Sequence, residues 1–398
     1  MLQIRAFAAL AACCAAGVAL AQQAPPEEPG WAKGRPKTDT AMKMAPVPAF
    51  PIPTPADQLP TKKLKVPPGF KVETWASGVL DAREIREGPK GTIVVSTLFV
   101  GNKVYAVPPG KHEPKVIIDK MPMATGIAFD SKGNLYVGTN TKFYRYDNVE
   151  AKLDNVGEGK VIYDKLPGGN DHSWKFFRIK DDKLYFNIGA PCNICDPGDY
   201  AKIYRMNLDG TNVETLAQGV RNTVGFDFDP KTGDLWFTDN GRDWLGDDQP
   251  PDELNHLTKV GEHFGFPFCH GHGLRDPEFN ARRACSDFTP PARELGPHVA
   301  SLGMRFYTGR MFPEKYRGGI FIAEHGSWNR STPIGYRVTF VKIENGRATS
   351  YEPFAAGWLK GSTASGRPAD VLVMPDGALL VSDDKAGRIY RISYGNSG

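Results

Sequence analysis

The chain has 398 residues, of which 49 are basic and 45 acidic, and its formal net charge is +4. This charge is small and dispersed, so it gives no reason to expect a nucleic acid or an anionic membrane as a partner. The 43 glycines and 33 prolines are typical of a chain with many turns.

The N-terminus has the pattern of a secretory signal. Arg5 precedes a stretch of small apolar residues, and an Ala-Leu-Ala cleavage pattern ends at Ala21. We predict a signal peptide at residues 1–21, because the apolar stretch is too short to span a bilayer. A Leu-Ala-Ala-Cys sequence ending at Cys13 also resembles a lipoprotein processing box, so lipidation of this cysteine is an alternative. We expect a periplasmic or secreted protein without a transmembrane segment.

Two zones of different composition follow the predicted signal. Residues 22–65 are rich in Pro, Ala, Gln and Lys, which bury little apolar surface, and we predict an extended linker there. From residue 66 to residue 398, turns alternate with strand patterns. We predict that this second zone is a single folded domain.

One short phrase recurs six times in this domain. A turn with Gly or Asp is followed by alternating apolar residues, as in DSKGNLYVGT at 130–139 and MPDGALLVSDD at 374–384. Alternation after a turn predicts a strand, and recurrence about every 40 to 50 residues predicts the four-stranded blades of a propeller. The fold class is therefore all-β, a six-bladed β-propeller. The first apolar strand residues of the six copies are Ile93, Leu135, Leu184, Leu235, Ile320 and Leu379.

The interval between the fourth and fifth copies is longer than the others and predicts an insertion on one face. Cys269 and Cys285 lie inside it, and Cys192 and Cys195 form a CxxC pair in the third repeat. An even number of cysteines in an exported chain favours two disulfides, each between sequence neighbours. Half of a zinc site or a redox pair is the alternative for the CxxC sequence. Haem attachment is excluded because Asp196 stands where the motif requires histidine.

Three polar clusters occupy predicted loops next to strands. They are Asn170-Asp171-His172, the segment Gly219–Gly225 around Arg221-Asn222, and the run from Asp239 to Asn255. Each has a simpler explanation, since a histidine in a Gly-rich loop, an arginine in a turn and an acidic loop are all common on protein surfaces. Loops of different blades converge on the central channel of a propeller, which favours a shared site.

Five segments resemble one known family. They are GNDHSWKFFRI, GAPCNICDPG, GVRNTVGFDFDPKTGDLWFTDNGRDWLGDDQPPDELN, FIAEHGSWNRSTPIGYRV and GRPADVLVMPDGALLVSDDKAGRIYRISY. In these segments the chain resembles the soluble glucose and sorbosone dehydrogenases that use pyrroloquinoline quinone (PQQ), and most closely the sorbosone branch. The resemblance implies a PQQ-dependent dehydrogenase that oxidises a sugar or a related hydroxyaldehyde.

The resemblance also implies roles for individual residues. His172 matches the base that removes the hydroxyl proton, a task that suits a neutral imidazole near pH 7. Arg221 and Asn222 match the Arg-Asn pair over the cofactor, and Arg83 and Arg367 are further candidates for its carboxylates.

A Ca²⁺ ion bound with the cofactor is implied as well. Two successive backbone carbonyls hold it in the family, and Gly241-Arg242 occupies their positions where Gly-Pro is common. Asp252, Glu253 and Asn255 are expected to surround this site.

One cationic contact of the glucose-type members is missing, because Ala369 stands in place of a second arginine. Lys385 or Arg330 is expected to replace it, and glucose becomes a less secure substrate. The HGSWNR sequence at 325–330 adds His325 and Trp328 as weaker candidates near the pocket.

Two other classes of function remain open at this stage. One is a calcium-dependent lactonase, which would use carboxylates and Asn around a metal and would not need Arg221. The other is a non-catalytic propeller that binds a peptide or glycan. If the chain is a dehydrogenase, its electrons pass to an external acceptor, a cytochrome or a quinone, because the sequence holds no haem motif.

Overall fold

The computed structural model describes residues 60–169 and 171–395. The predicted signal peptide, Cys13 and Asn170 lie outside these ranges, as does most of the predicted linker. Within them, none of the helices is long and apolar enough to cross a membrane. The helical elements of the described residues are four short 3-10 helices, Pro60–Lys63, Val149–Ala151, Cys285–Asp287 and Glu314–Tyr316.

The predicted six-bladed propeller is confirmed. Each blade contains four antiparallel strands, and a strand of the insertion adds a fifth to the sheet of blade 3. Strand β1 is Phe70–Ser77, and blade 1 contains β2 Ala82–Glu87, β3 Ile93–Thr97, β4 Val104–Val107 and β5 Lys115–Ile118. Blade 2 contains β6 Gly126–Phe129, β7 Leu135–Gly138, β8 Phe143–Tyr146 and β9 Lys160–Tyr163. Blade 3 contains β10 Phe177–Lys180, β11 Lys183–Ile188, β12 Lys202–Asn207 and β13 Glu214–Gln218.

The other three blades follow the same plan with two departures. Blade 4 contains β14 Gly225–Phe228, β15 Leu235–Asp239, β16 Pro251–Leu257 and, after the insertion, β20 Arg293–Pro297. Blade 5 contains β21 Ser301–Phe306, β22 Ile320–Glu324, β23 Arg337–Glu344 and β24 Arg347–Ala355. Blade 6 contains β27 Pro368–Val373, β28 Leu379–Asp383 and β29 Arg388–Tyr394, and β1 is its outer strand. A small hairpin, β25 Leu359–Lys360 with β26 Thr363–Ala364, precedes blade 6.

The insertion between β16 and β20 extends the neighbouring blade. Its first strand, β17 Glu262–His263, pairs in parallel with β13, and β18 Cys269–His270 pairs with β19 Leu274–Arg275. Both predicted disulfides are confirmed. Cys269 is bonded to Cys285 within the insertion, and Cys192 is bonded to Cys195 in the loop after β11.

Apolar residues fill each interface between adjacent blades. Successive residues of a strand point to opposite sides of its sheet. In β3, Val94 packs against blade 2, whereas Ile93 and Val95 pack against blade 6. The second strand of a blade is therefore buried on both sides, which explains why the repeated phrase is so apolar.

The last residues of the predicted linker, Leu64 and Lys65, contact the propeller. Lys65 forms a β-bridge with Ala356, and Leu64 contacts the apolar cluster between blades 5 and 6. Strand β1 then pairs with β29 from Phe70 to Ser77 and closes the ring.

A substitution of Phe70 tests how much the packing of β1 contributes to stability. Its ring lies 4.8 Å from the ring of Phe312 and 5.0 Å from that of Phe354, between centroids. Because Phe70 is only partly buried, we expect Phe70→Ala to lower the free energy of unfolding by about 2–4 kcal/mol in denaturant titrations. Lys71→Ala, on the exposed side of the same strand, should change it by less than about 0.5 kcal/mol. Equal effects of the two variants would contradict a stabilising role for this contact.

Candidate active site

A cavity of about 560 Å³ opens on one face of the propeller. Two kinds of loop build it, those that lead into the inner strand of a blade and those that join the second strand to the third. The first kind contributes His172 and Arg221, and the second kind contributes Gly241, His325 and Asp384. Residues distant in sequence thus face one cavity, as expected for a ligand site in this fold.

His172 lies in the loop before β10 and has a left-handed backbone with φ of 46°. Its Nδ1 lies 2.8 Å from the carbonyl oxygen of Ala190, so Nδ1 carries the proton and donates it there. The bare Nε2 is then a proton acceptor. Burial, together with the positive charge of Arg221, lowers the pKa of His172 to about 3, so the imidazole is neutral at pH 7.

Arg221 is buried, and protein oxygens surround its guanidinium. Nε donates to the carbonyl of Asn193 and Nη2 to the side-chain oxygen of the same residue, both at 2.9 Å. Nη1 donates to the carbonyl of Gly241 at 2.8 Å, and Asp243 lies 3.2 Å from Nη2. These contacts fix the plane of the guanidinium at the wall of the cavity.

Asn222 and Trp174 lie side by side at the same wall. The indole Nε1 of Trp174 donates to the side-chain oxygen of Asn222 at 3.1 Å. Trp174 also contacts the ring of His172 edge to face, with 5.7 Å between centroids, and the ring of Phe99 at 6.3 Å. The histidine is therefore bordered by aromatic surface.

A second cationic region lies where blades 1, 5 and 6 meet. Nη1 of Arg83 forms an ion pair with Asp384 at 2.6 Å. Nε2 of His325 donates to the same carboxylate at 2.7 Å, and Arg367 donates to the carbonyls of His325 and Gly326. Burial and the nearby guanidinium of Arg367 lower the pKa of His325. The guanidiniums of Arg83 and Arg367 lie in this region with the carboxylates of Asp81, Asp383 and Asp384.

The Gly241 turn combines oxygen donors with buried carboxylates. Its backbone N–H donates to Asp252 at 3.0 Å, and both Asp252 and Asp243 line the cavity. Burial raises the pKa of Asp252 to about 7, and burial together with the charge of Glu253 raises the pKa of Asp239. Several acidic groups therefore share a poorly solvated region.

The predicted site residues divide into two groups. Among the described residues, those that line the cavity are His172, Arg221, Asn222, Gly241, Arg83, Arg367, Lys385, Asp252, His325 and Trp328. Arg242, Arg330, Glu253 and Asn255 are not in the lining. The side chain of Arg242 pairs instead with Asp276 at 2.6 Å inside the insertion. Arg330 pairs with Asp248 at 3.1 Å, so its guanidinium is already engaged outside the cavity.

Asp384, His298 and Phe99 line the cavity but were not identified from the sequence. For two of them the repeat contained the necessary signal. Asp384 directly follows the second strand of its blade, as His325 does in blade 5, and Phe99 follows within two residues in blade 1. Asp384 is already the last residue of the sixth repeated phrase, and extending the phrase of blade 1 past the end of β3 would have identified Phe99.

Comparisons with known proteins bear on this geometry. A curated relative from Borreliella burgdorferi, described as an uncharacterized protein, is 37% identical over 359 residues, which is 84% of this chain and 92% of the relative. The structure of a Trichoderma reesei carbohydrate-active enzyme of family AA12, described as its calcium structure, is 19% identical with a TM-score of 0.73 and covers 85% of this chain and 98% of its own.

Two further solved structures share the fold. The holo form of the PQQ domain of pyranose dehydrogenase from Coprinopsis cinerea has a TM-score of 0.71 at 18% identity and covers 88% of this chain and 98% of its own. The PQQ-bound aldose sugar dehydrogenase from Streptomyces coelicolor has a TM-score of 0.57 at 19% identity, with coverages of 83% and 99%. At these identities the likeness concerns the fold.

The family comparison is more specific. The model described as Glucose / Sorbosone dehydrogenase matches residues 138–391. This match includes blades 3 to 5, the insertion and all of blade 6 except its last residues and β1. The chain belongs to the glucose/sorbosone dehydrogenase family.

Proposed function

We propose that this protein oxidises a hydroxyl group of an aldose or a related hydroxyaldehyde such as sorbosone, and that it uses bound PQQ as hydride acceptor. One observation carries the proposal. A single cavity contains a neutral histidine with a bare Nε2 together with the buried guanidiniums of Arg83 and Arg221 and the partly buried guanidinium of Arg367. A base for a hydroxyl proton and cations for a polyanionic cofactor are the two requirements of this chemistry.

The arrangement of charge fits a cofactor with three carboxylates. Arg221 lies at one wall, and Arg83 and Arg367 lie in the second cationic region with Lys385 nearby. Asp384 forms the ion pair with Arg83 and accepts the hydrogen bond from His325. Hydrogen bonds from guanidiniums to carboxylates are short and directional, so this cavity favours an extended anion.

The Gly241 turn fits a hard divalent cation. Its carbonyl oxygen and the carboxylates of Asp243 and Asp252 are hard oxygen donors of the kind that Ca²⁺ takes. The raised pKa values of Asp239 and Asp252 indicate surplus buried acid, which a cation would relieve. We propose Gly241 as a carbonyl ligand together with Arg242, whose carbonyl can serve although its side chain pairs with Asp276.

Bound PQQ would supply a quinone carbonyl that accepts hydride, and bound calcium would polarise it. The protein contributes the proton chemistry. Nε2 of His172 accepts the hydroxyl proton, because Nδ1–H is held by the carbonyl of Ala190. Arg221 stabilises the negative charge that develops on the reacting groups, and the aromatic surface of Trp174 and Phe99 keeps water away from the histidine.

We also propose that the electrons pass to an external acceptor, a cytochrome or a quinone, and that the protein acts in the periplasm or outside the cell. The two disulfides support an oxidising compartment. The guanidiniums argue against the lactonase alternative, because hydrolysis at a carboxylate-bound metal would not need Arg221.

Reconstitution tests the proposal directly. We expect purified apoprotein to reduce a dye acceptor with aldoses or sorbosone only after both PQQ and Ca²⁺ are added, and a chelator to abolish this activity. PQQ binding should also change the absorbance of the cofactor. Full activity in chelator without PQQ, or no binding of PQQ, would contradict the proposal.

The role of His172 is tested by His172→Asn, which keeps a polar side chain of similar shape but loses the proton acceptor. We expect turnover to fall by about two to four orders of magnitude, the usual contribution of general-base catalysis. PQQ affinity should remain close to that of the wild type. His112→Asn, at an exposed position, is the control. Turnover near the wild-type value in His172→Asn would remove this residue from the mechanism.

Acid titration tests the lowered pKa of His172. The folded-state pKa of about 3 lies below the ordinary value of 6.5, so between these pH values the unfolded chain binds a proton that the folded chain does not. The stability of the wild type relative to His172→Asn should be greatest above pH 6.5. It should fall by at most about 1.4 kcal/mol per pH unit on acidification towards pH 3. Denaturant unfolding at several pH values measures this difference, and a pH-independent difference would contradict the shift.

A further inference from the structure

The loop closed by the Cys192–Cys195 disulfide lies behind Arg221. Asn193 is fully buried in this loop and is not among the described residues that line the cavity. Its backbone carbonyl accepts from Nε of Arg221 and its side-chain oxygen accepts from Nη2, both at 2.9 Å. Asn193 thus provides two hydrogen-bond acceptors for the guanidinium of Arg221.

The same asparagine also fixes a second residue of the cavity. Its side-chain oxygen accepts the backbone N–H of Asp243 at 2.8 Å, and its side-chain nitrogen lies 3.4 Å from the carbonyl oxygen of Asp243. Asp243 in turn pairs with Arg221. Asn193 therefore joins the loop after β11 to the Gly241 turn.

The disulfide restricts how far Asn193 can move. Cys192 and Cys195 flank Asn193 and Ile194, and the side chain of Ile194 is buried against Ala190 and Phe266. Both ends of the short loop and its apolar residue are fixed, so the acceptors of Asn193 have one position. A planar guanidinium with fixed donors requires acceptors in fixed positions.

We propose that Asn193 is a positioning residue that holds the guanidinium of Arg221 in place at the wall of the cavity, and that the Cys192–Cys195 disulfide acts on cofactor affinity through Asn193. This inference rests on the proposed use of PQQ. If the disulfide only stabilised the fold, its removal would lower the free energy of unfolding. It would not weaken PQQ binding through the interaction that Asn193 makes with Arg221.

The test is a double-mutant cycle on the dissociation constant for PQQ, measured by equilibrium dialysis with Ca²⁺. Asn193→Ala removes the side-chain acceptor and Cys192→Ser/Cys195→Ser opens the loop. We expect each to raise the dissociation constant about 10-fold, as for the loss of a hydrogen bond to a charged group. The combined variant should also bind PQQ about 10-fold more weakly than the wild type, because the two changes remove the same interaction. An increase of about 100-fold in the combined variant, or unchanged affinity in Asn193→Ala, would overturn the proposal.

Two controls separate this effect from general destabilisation. Cys269→Ser/Cys285→Ser removes the other disulfide, and Asn134→Ala removes an asparagine that bonds to Asp130 at 2.8 Å in the turn between β6 and β7. Both should lower the thermal midpoint and leave PQQ affinity within about twofold of the wild type. A loss of affinity in these controls equal to that in Asn193→Ala would refute a specific role.

A measurement without cofactor keeps the two proposals distinct. The Nε proton of Arg221, assigned by its disappearance in Arg221→Lys, should exchange slowly with water in the wild-type apoprotein. Exchange should be faster in Asn193→Ala and in the Cys192→Ser/Cys195→Ser variant. If the wild type does not bind PQQ, the proposed function fails, and equal exchange in all variants shows independently that Asn193 does not position Arg221.

Discussion

Closure of the ring by β1 is the constraint on which the rest of the structure depends. The outer strand of blade 6 comes from the beginning of the folded domain and its other three strands come from the end, so blades 1 and 6 meet only after both ends of the domain are paired. The apolar clusters on both sides of blade 6 then become complete. The cavity needs the same closure, because Arg83 and Asp384 belong to blades that this pairing brings together.

Buried charge along the inner strands reinforces this arrangement. Arg86 of blade 1 and Arg305 of blade 5 share the carboxylate of Asp370 in blade 6, at 2.8 and 3.2 Å. Arg86 also bonds to Glu84 and to the carbonyl of Phe177 in blade 3. An unpaired charge here would be costly, whereas the shared carboxylate lets several blades satisfy one another. These contacts therefore link blades 1, 3, 5 and 6.

The sequence predicted the repeating part of the molecule and missed what depends on long-range contact. All six predicted strand starts fall in the second strands of the blades, because these strands are buried on both sides and alternate accordingly. Both disulfides join neighbours in sequence and were predicted for that reason. The pairing of Asp384 with Arg83 could not be predicted, because the two residues are 301 positions apart in the sequence. Arg330 was proposed, as an alternative to Lys385, to replace an arginine of the glucose-type members, and its pairing with Asp248 depends on a loop geometry that the motif does not encode. Asn193 had no signal beyond its position in the CxxC sequence.

The short loop Gly189–Cys195 positions two of the residues that line the cavity, His172 and Arg221. A side chain at Gly189 would place its Cβ 2.6 Å from the Cβ of His172, so only glycine permits the histidine to approach. Ala190 then accepts from Nδ1 of His172 and donates its N–H to the carbonyl of Arg221 at 2.7 Å. Asn193 directs the guanidinium of Arg221. One loop thus contacts both the proposed base and Arg221, which Gly241 and Asp243 of blade 4 also hold. Changes elsewhere on the rim can therefore alter which molecule enters the cavity without moving the two groups that we propose react with it.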